Sequence, residues 1–438
     1  MAYKAYIVEL PEPRKHTNAD RLQCFEVYGQ NVITDLKYHE GQKCVYFPVD
    51  GQLSERFCEE NNLLRKKDAD GNNIGGYMDP SKRNITAIRL RKEKSEGLVL
   101  PIEVLSPYCD VTKLVVGQAI SEFGDEVICR KYIPIRRNQR GNGGGKRGER
   151  KKKVKTTEFP FFEPHVDTEQ LAYNQDAFHE GDLVYLTRKL HGTSFRVGNT
   201  LEEIHKKPTL LQRILHPTRK EIVEKKWKVV GGTRKVILDD DYSGGYYGSN
   251  EFRKKYTEQL APILPKGVTI YGELVGYVND STPIMPVADV KKVADKDFRK
   301  RYGDRMVFDY GCEPGESHAY IYRMTITNED GEVFDIPHET MRRWCANHGL
   351  DTVPYLERFF YTTWEDLNAR CEKYLDQPEP LSNGTHITEG VVVTLADRPK
   401  FTAYKTKGFW FKCLAGIAVD NLTDEQVASM DADLLSEV

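Results

Sequence analysis

Between Arg130 and Lys155 the chain reads RKYIPIRRNQRGNGGGKRGERKKKVK, almost all basic residues and glycine. From Arg137 onward such a run cannot bury apolar surface, so no hydrophobic core continues through it. It divides the chain into a part before and a part after. Length agrees, because 438 residues are long for one core. The first part, to about Val127, holds short runs: AYIVEL, CFEVYG, QNVITDL, KCVYFPVDG, ITAIRLR and GLVLPI. They are alternating or β-branched and are separated by Asn, Asp, Gly or Pro. Several such strands in a segment of this size predict a small β-barrel of the OB type.

After the basic run, Asp167 is placed to cap a short helix, with Gln170 as its capping-box partner. Strands follow at DLVYLTRK, TSFRVG, WKVVGGTRKVI, GVTIYGELVG, RMVFDYG, AYIYRMTIT, EGVVVTL and FTAYKTKGFWFK. Helical patterns lie between them at GSNEFRKKYTEQLAPIL, PHETMRRWCANHGL and TWEDLNARCEKYL. The second part therefore reads as α+β with mainly antiparallel strands. A last helix is expected from Thr423, where TDEQ forms a capping box.

The formal net charge of −2 conceals local asymmetry. A second basic stretch, HKKPTLLQRILHPTRKEIVEKKWK, spans His205 to Lys228, and the C-terminus is acidic. Concentrated basic segments suit a protein that meets polyanions at particular places, although a solvated linker and a charged helix face have the same composition. The longest apolar stretch, near EGLVLPIEVL, is too short to cross a bilayer, and MAYKAYIVELPEPRKH lacks the apolar core of a signal peptide. Nine scattered cysteines without a C-x-x-C pair point away from a disulfide framework or a zinc site. A soluble cytoplasmic protein with no membrane partner is expected.

The stretch LTRKLHGTSFRVG places Lys189 at the end of an apolar strand, with His191, Gly192, Thr193 and Ser194 directly after it. A strand-end lysine ordinarily just points into water. Further along come GTRK at Gly232, YGEL at Tyr271, YIYR at Tyr320, TEGVVV at Thr388 and KTK at Lys405, each on or at the end of an expected strand. Lys405 and Lys407 are two apart and so share one strand face. A lysine attacks a phosphate only as the neutral amine, and its free pKa is ~10.4. Nearby positive charge and a metal ion lower that value. If Lys189 makes such an attack, the K-x-K face is expected to point at the phosphate, depressing the pKa of Lys189 and stabilising the charge that develops. The plainer alternative for K-x-K is a solvent-facing edge strand, against which the apolar GFWFKCL that follows argues.

In this order the segments resemble motifs I, Ia, III, IIIa, IV and V of the covalent nucleotidyltransferases, the superfamily of polynucleotide ligases and mRNA capping enzymes. KLHGTSF resembles the RNA-ligase form of motif I, with histidine where DNA ligases carry aspartate. The N-terminal part resembles the OB-like module that precedes the ligase domain in RNA ligase family five. The resemblance implies an OB-like nucleic-acid-binding module over residues 1–129, a basic Gly/Lys/Arg-rich linker or loop over 130–158 and an adenylyltransferase domain over 159–438. That domain would be an antiparallel-sheet nucleotidyltransferase, an ATP-grasp-like ligase fold.

It further implies that Lys189 is the nucleophile and that His191 serves the adenylylation step. Gly192 admits the nucleotide, and Arg234 contacts its sugar or phosphate. Glu273 takes a ribose hydroxyl, and Glu389 organises Mg²⁺ or Mn²⁺. For both glutamates a buried ion pair is the plainer reading. Tyr322 is the implied adenine stacker, with Phe308 as competitor. Arg188 departs from the pattern, since related ligases are expected to carry glutamate just before the nucleophile.

The resulting expectation is an ATP-dependent RNA ligase, acting as a monomer on RNA or RNA/DNA duplexes with 3′-OH and 5′-phosphate ends, at nicks. Lys189 takes AMP from ATP, passes it to the 5′-phosphate, and the 3′-OH then displaces it. Removal of the N-terminal module is expected to spare the first step and weaken sealing. A GTP-using capping guanylyltransferase and a catalytically dead RNA-binding scaffold are the alternatives. The β-module lies before the catalytic domain, which disfavours the first, and the full set of lysines and glutamates disfavours the second.

Overall fold

The computed structural model describes residues 3–66, 74–76, 78–91, 93–132, 157–206, 222–238, 247, 250–396 and 398–419. The heart of the basic run, the centre of the second basic stretch and the helix expected from Thr423 lie outside the described residues.

The N-terminal part is built of short strands, as its alternating runs require. Ala119–Ile120, Ala5–Glu9, Lys43–Phe47 and Leu98–Pro101 form one antiparallel sheet in that order. Arg14–Lys15, Leu22–Val27 and Gln30–Asp35 form a second. The apolar faces enclose a core containing Ile7, Val45, Phe47, Phe57 and Leu105. The expected OB-type barrel differs from this pattern: among the described residues the pairing is split over separate small sheets and closes no barrel. One of these sheets crosses the expected domain boundary. Ala418–Val419, near the C-terminal end, pairs in parallel with Ala87–Leu90, which pairs with Glu93–Ser95.

The second part is α+β with almost wholly antiparallel pairing. Its larger, eight-stranded sheet has the central order Ile237–Leu238, Ile222–Gly232, Thr193–Lys206, Val268–Asn279, Ser317–Thr327, Val333–Asp335. The helices Glu251–Leu260 and His338–Asn347 cover one face over a core of Phe195, Ile270, Leu274 and Met324. The five-stranded sheet runs Glu169–Gln170, Thr402–Lys407, Gly390–Leu395, Leu183–Lys189, Tyr355–Phe360. The helix Trp364–Glu372 packs behind it on Val184, Leu186, Val391 and Val393. Those β-branched and leucine side chains fit a pleated, buried surface, which is why the runs form strands.

Three local expectations are corrected. GFWFKCL does not extend the K-x-K strand; Phe409–Leu414 is a helix that begins after Gly408. Its aromatic side chains bury at helical spacing, with Phe409, Phe411, Cys413 and Leu414 in the core. RMVFDYG forms a strand only at Arg305–Met306, and then turns. Asp167 caps no helix: Glu169–Gln170 is a strand parallel to Thr402–Lys407, and the Asp167 carboxylate pairs with Arg234 instead. The described lysines of the second basic stretch lie on the long hairpin of Thr193–Lys206 and Ile222–Gly232. Lys225 faces Glu203 at 2.9 Å, and Lys226 and Lys228 face Glu202 at 3.1 and 3.4 Å. This part of the stretch is therefore charge-matched across the hairpin.

Candidate active site

Three neighbouring strands of the smaller sheet end together. Register aligns Lys189 with Gly390 and Gly390 with Lys407. Aligned residues on adjacent strands project to the same face, so two lysines flank a glycine. A Cβ at Gly390 would collide with the Thr406 carbonyl oxygen, which holds the position to glycine. Glu389, one residue earlier, reaches both cations. Its Oε2 lies 2.9 Å from Lys189 Nζ and its Oε1 2.9 Å from Lys407 Nζ. Only 2% of the Glu389 side chain is exposed, against 22% for Lys189 and 20% for Lys407. Burial pushes the Glu389 carboxyl pKa up, but the two lysines outweigh it and hold it down at about 2. A carboxylate bridging two ammonium groups is the result.

Lys405 does not share this arrangement. Its ammonium donates to the Thr168 carbonyl oxygen at 2.8 Å. Burial, then the charges of Lys189 and Lys407, lower its pKa to about 8. The like-charge crowding expected around the nucleophile is thus felt at Lys405, while Lys407 turns to Glu389.

The turn after Lys189 is tightly enclosed. The His191 ring stands edge-on to Phe308 and Phe411, each with centroids 4.8 Å away. Burial lowers its pKa to about 3, so the imidazole is neutral. Its Nδ1 is 3.7 Å from Glu389 Oε2, beyond hydrogen-bond range. A Cβ on Gly192 would collide with the Leu274 carbonyl oxygen and come within 3.0 Å of Glu273 Cγ. Glycine is needed here because the turn presses against the Val268–Asn279 strand, and this contact joins the two sheets at the site.

From Val268 to Gly276 that strand is buried on both faces except at Glu273, which is partly exposed. Glu273 lies opposite Ser194, whose Oγ is 3.4 Å from Oε2, and the Gly192 amide also faces it. Burial raises its pKa to about 7, against the opposing pull of Lys189. A folded-state pKa above the ordinary 4.5 means that the folded protein keeps this proton longer than the unfolded chain. Its contribution to stability is then full below about pH 4.5 and lost as the pH rises to about 7. Urea unfolding of the ligand-free protein at pH 5 and pH 8 checks this. Glu273→Gln should lose less stability between the two pH values than the unaltered protein, and an equal or larger loss would contradict the assignment.

Tyr322 sits on the next strand, where a bulge at Tyr271 and Gly272 sets it beside the Glu273 strand. Its hydroxyl hydrogen-bonds His165 Nδ1 at 2.6 Å. Arg234 follows the Ile222–Gly232 hairpin strand, pairs with Asp167, and its carbonyl accepts the His165 backbone N–H at 3.2 Å. Phe308, the competing aromatic, is 3% exposed and packs on His191 and Phe411 within the core. Arg188 points away from Lys189, as alternation demands, and pairs with the fully buried Glu379 at 3.4 Å. The structure therefore brings together Lys189, His191, Gly192, Glu389 and Lys407, with Glu273, Tyr322 and Arg234 grouped alongside. Lys405 lies close enough to feel the charges of Lys189 and Lys407, and its ammonium donates to the Thr168 carbonyl oxygen. His165, Tyr310, Glu379 and His386 are structural neighbours of the site that no sequence motif marks; the segment carrying His165 could have been found only by its later pairing with the K-x-K strand.

The RNA ligase family model matches residues 182–414. The chain belongs to the RNA ligase family. It is a ligase, an enzyme that forms phosphodiester bonds. The matched span starts just before the Lys189 strand and ends with the helix after Lys407, so it contains nearly all of the site. The fold of this RNA ligase is also that of Naegleria gruberi RNA ligase. One structure of that protein, with PPi, superposes with a TM-score of 0.56 at 16% identity, covering 93% of this chain and 97% of the other. A lysine-to-alanine mutant of it with ATP and Mn gives 0.55 at 16% identity, covering 92% and 96%. A glutamate-to-alanine mutant with ATP and Mn gives 0.55 at 17%, again covering 92% and 96%. No curated protein matches this RNA ligase. Among the described residues, no helix is long and apolar enough to cross a membrane.

Proposed function

We propose that this RNA ligase uses ATP, forms lysyl-AMP on Lys189, transfers AMP to a 5′-phosphate RNA end and seals that end to a 3′-hydroxyl at nicks. The observation that carries this reading is the buried Glu389 carboxylate between Lys189 and Lys407 in a member of the RNA ligase family. In the first step Lys189 gives up one ammonium proton to solvent, and the lone pair of the neutral amine forms a bond to the α-phosphorus. The bond from that phosphorus to the bridging oxygen breaks, its electrons leave on pyrophosphate, and the nitrogen loses a proton. Lys407 is placed to meet charge growing on the α-phosphate, and its pairing to Glu389 keeps it there before substrate arrives. Arg234 would serve phosphate or ribose as a planar donor, Glu273 a ribose hydroxyl, and Tyr322 would stack on adenine while His165 holds its hydroxyl.

The donor set also fits Mg²⁺ or Mn²⁺. Glu389 Oε2 is buried, and its contact with Lys189 is an ion pair lacking hydrogen-bond alignment. Hard divalent cations commonly take one or two protein carboxylates and complete their shell with phosphates and water. Glu389 would hold the ion, which when bound would neutralise phosphate charge. On this reading residues 1–129 form a β-rich module that grips duplex flanking the nick, 130–158 link it and 159–438 carry the chemistry, in a monomeric cytoplasmic enzyme.

Incubation with α-labelled ATP and Mn²⁺ should give an acid-stable protein–AMP adduct. Lys189→Ala should lose it entirely. Labelling by GTP in place of ATP, or labelling that persists in Lys189→Ala, would overturn the reading.

A further inference from the structure

Behind the nucleophile lies a buried polar circuit that the chemistry above does not use. Arg188 precedes Lys189 and pairs with Glu379. The Glu379 backbone N–H donates to the His386 carbonyl oxygen at 2.8 Å. The His386 Nε2 accepts the backbone N–H of Tyr310 at 3.3 Å, and its Nδ1 donates to the Ile387 carbonyl oxygen at 2.9 Å. Tyr310 closes the circuit, because its hydroxyl oxygen accepts the backbone N–H of His191 at 2.6 Å. Both chain directions away from Lys189 are thereby tied to one segment, and that segment leads directly into Glu389.

Tyr310 is unusual in itself. It is 3% exposed, and its φ is +53°, a region that bulky side chains rarely adopt. Gly311 follows at φ +80°, where a Cβ would meet the Leu381 carbonyl oxygen at 2.6 Å. Such a backbone persists only where its surroundings hold it. Here the Tyr310 ring packs edge-on against His386 with centroids 4.6 Å apart, and its amide is bonded to the same ring. Burial, reinforced by Glu389, raises the Tyr310 pKa well above its ordinary value, so the phenol is neutral. The His386 ring must likewise be neutral with its proton on Nδ1, since Nε2 is an acceptor, and burial lowers its pKa in agreement.

We infer that Tyr310 is a positioning residue for lysine adenylylation: its hydroxyl fixes the His191 amide and, through it, the turn that aims Lys189 at the α-phosphate. His386 holds Tyr310 in the backbone conformation this requires, and the Arg188 and Glu379 pair holds the other flank. Arg188 then acts through the scaffold and makes no contact with the base. The inference rests on the reading that Lys189 becomes adenylylated.

The test is single-turnover formation of lysyl-AMP on the full chain with labelled ATP and Mn²⁺. Tyr310→Phe keeps the ring and removes the acceptor, leaving a buried N–H unpaired. The expected result is a maximal rate lower by roughly tenfold or more, with the ATP concentration for half-saturation unchanged. An unaltered maximal rate, or a loss confined to half-saturation, would overturn the inference. If Tyr310→Phe does not fold, His386→Leu and His386→Gln decide. Leucine should slow adenylylation, and glutamine, whose side-chain oxygen can accept the Tyr310 N–H, should restore much of the rate. Equal rates in the two variants would also overturn it. Failure of the unaltered protein to label at all would overturn instead the adenylylation reading beneath it.

Discussion

Glu389→Ala should lower the rate of lysyl-AMP formation by at least roughly a hundredfold, and Glu389→Gln should do nearly the same. The carboxylate is almost wholly buried and meets Lys189 and Lys407 at 2.9 Å each. Removing one partner of a buried ion pair costs about 3–5 kcal/mol, because the remaining charge is left without compensation. Here two ammonium groups are left facing each other across Gly390. At about 1.36 kcal/mol per tenfold, that range corresponds to a hundredfold or more if the loss falls on the reacting geometry. Glutamine is the sharper variant: it preserves volume and cannot supply the charge. Gel assays of labelled AMP transfer at saturating ATP, with unfolding measured in parallel, make the comparison. A Glu389→Gln enzyme within tenfold of the unaltered rate would show that the bridge only stabilises the fold.

Deletion of residues 1–132 should abolish self-adenylylation. Sequence reasoning treats the N-terminal part as a separable module whose loss spares the first step, and the structure argues otherwise. Ala87 pairs with Ala418 in a shared sheet. Arg89 lies over the rings of Phe409 and Trp410 at 4.9 and 4.6 Å. Glu96 pairs with Lys412 at 2.5 Å, and Lys94 with Asp376 at 3.4 Å. Asp376 in turn accepts the backbone N–H groups of Phe409 and Trp410 at 3.0 and 2.7 Å, which holds the helix that directly follows Lys407. Truncation strips these contacts from the end of the K-x-K strand and exposes the aromatic face of its helix. A truncated protein that labels with AMP at half the full-length rate or better would sink this prediction. A milder form of the same test is the pair Lys94→Ala and Glu96→Ala in the full chain, which should slow labelling without removing the module.

Much of the site was legible because its residues carry local signals. Lys189, Glu273, Glu389 and Lys407 each sit at the end of, or within, a short β-branched run. Charged residues in such runs need partners or solvent, and the resemblance of their order to the nucleotidyltransferase motifs implied a common site. Local pattern misled where tertiary packing overrode it. GFWFKCL is apolar enough for a strand, but once Gly408 ends the pairing, Phe409, Phe411, Cys413 and Leu414 bury better on one helix. K-x-K periodicity places Lys405 and Lys407 on one face, yet it cannot say that the Thr168 carbonyl oxygen takes the first and Glu389 the second.

The sequence by itself determined the strand-rich α+β architecture, because this follows from residue type and alternation. Only the tertiary structure decided who pairs with whom. It set Glu389 between two lysines, gave Arg188 its partner in Glu379, placed His165 on Tyr322 and laid Tyr310 against the turn after Lys189. Arg188 and Glu379 are 191 residues apart, and Tyr310 lies 119 from His191. Contacts at such separations leave no periodic trace along the chain. They exist only once two sheets close on one another and buried polar groups must find partners in whatever has been brought near.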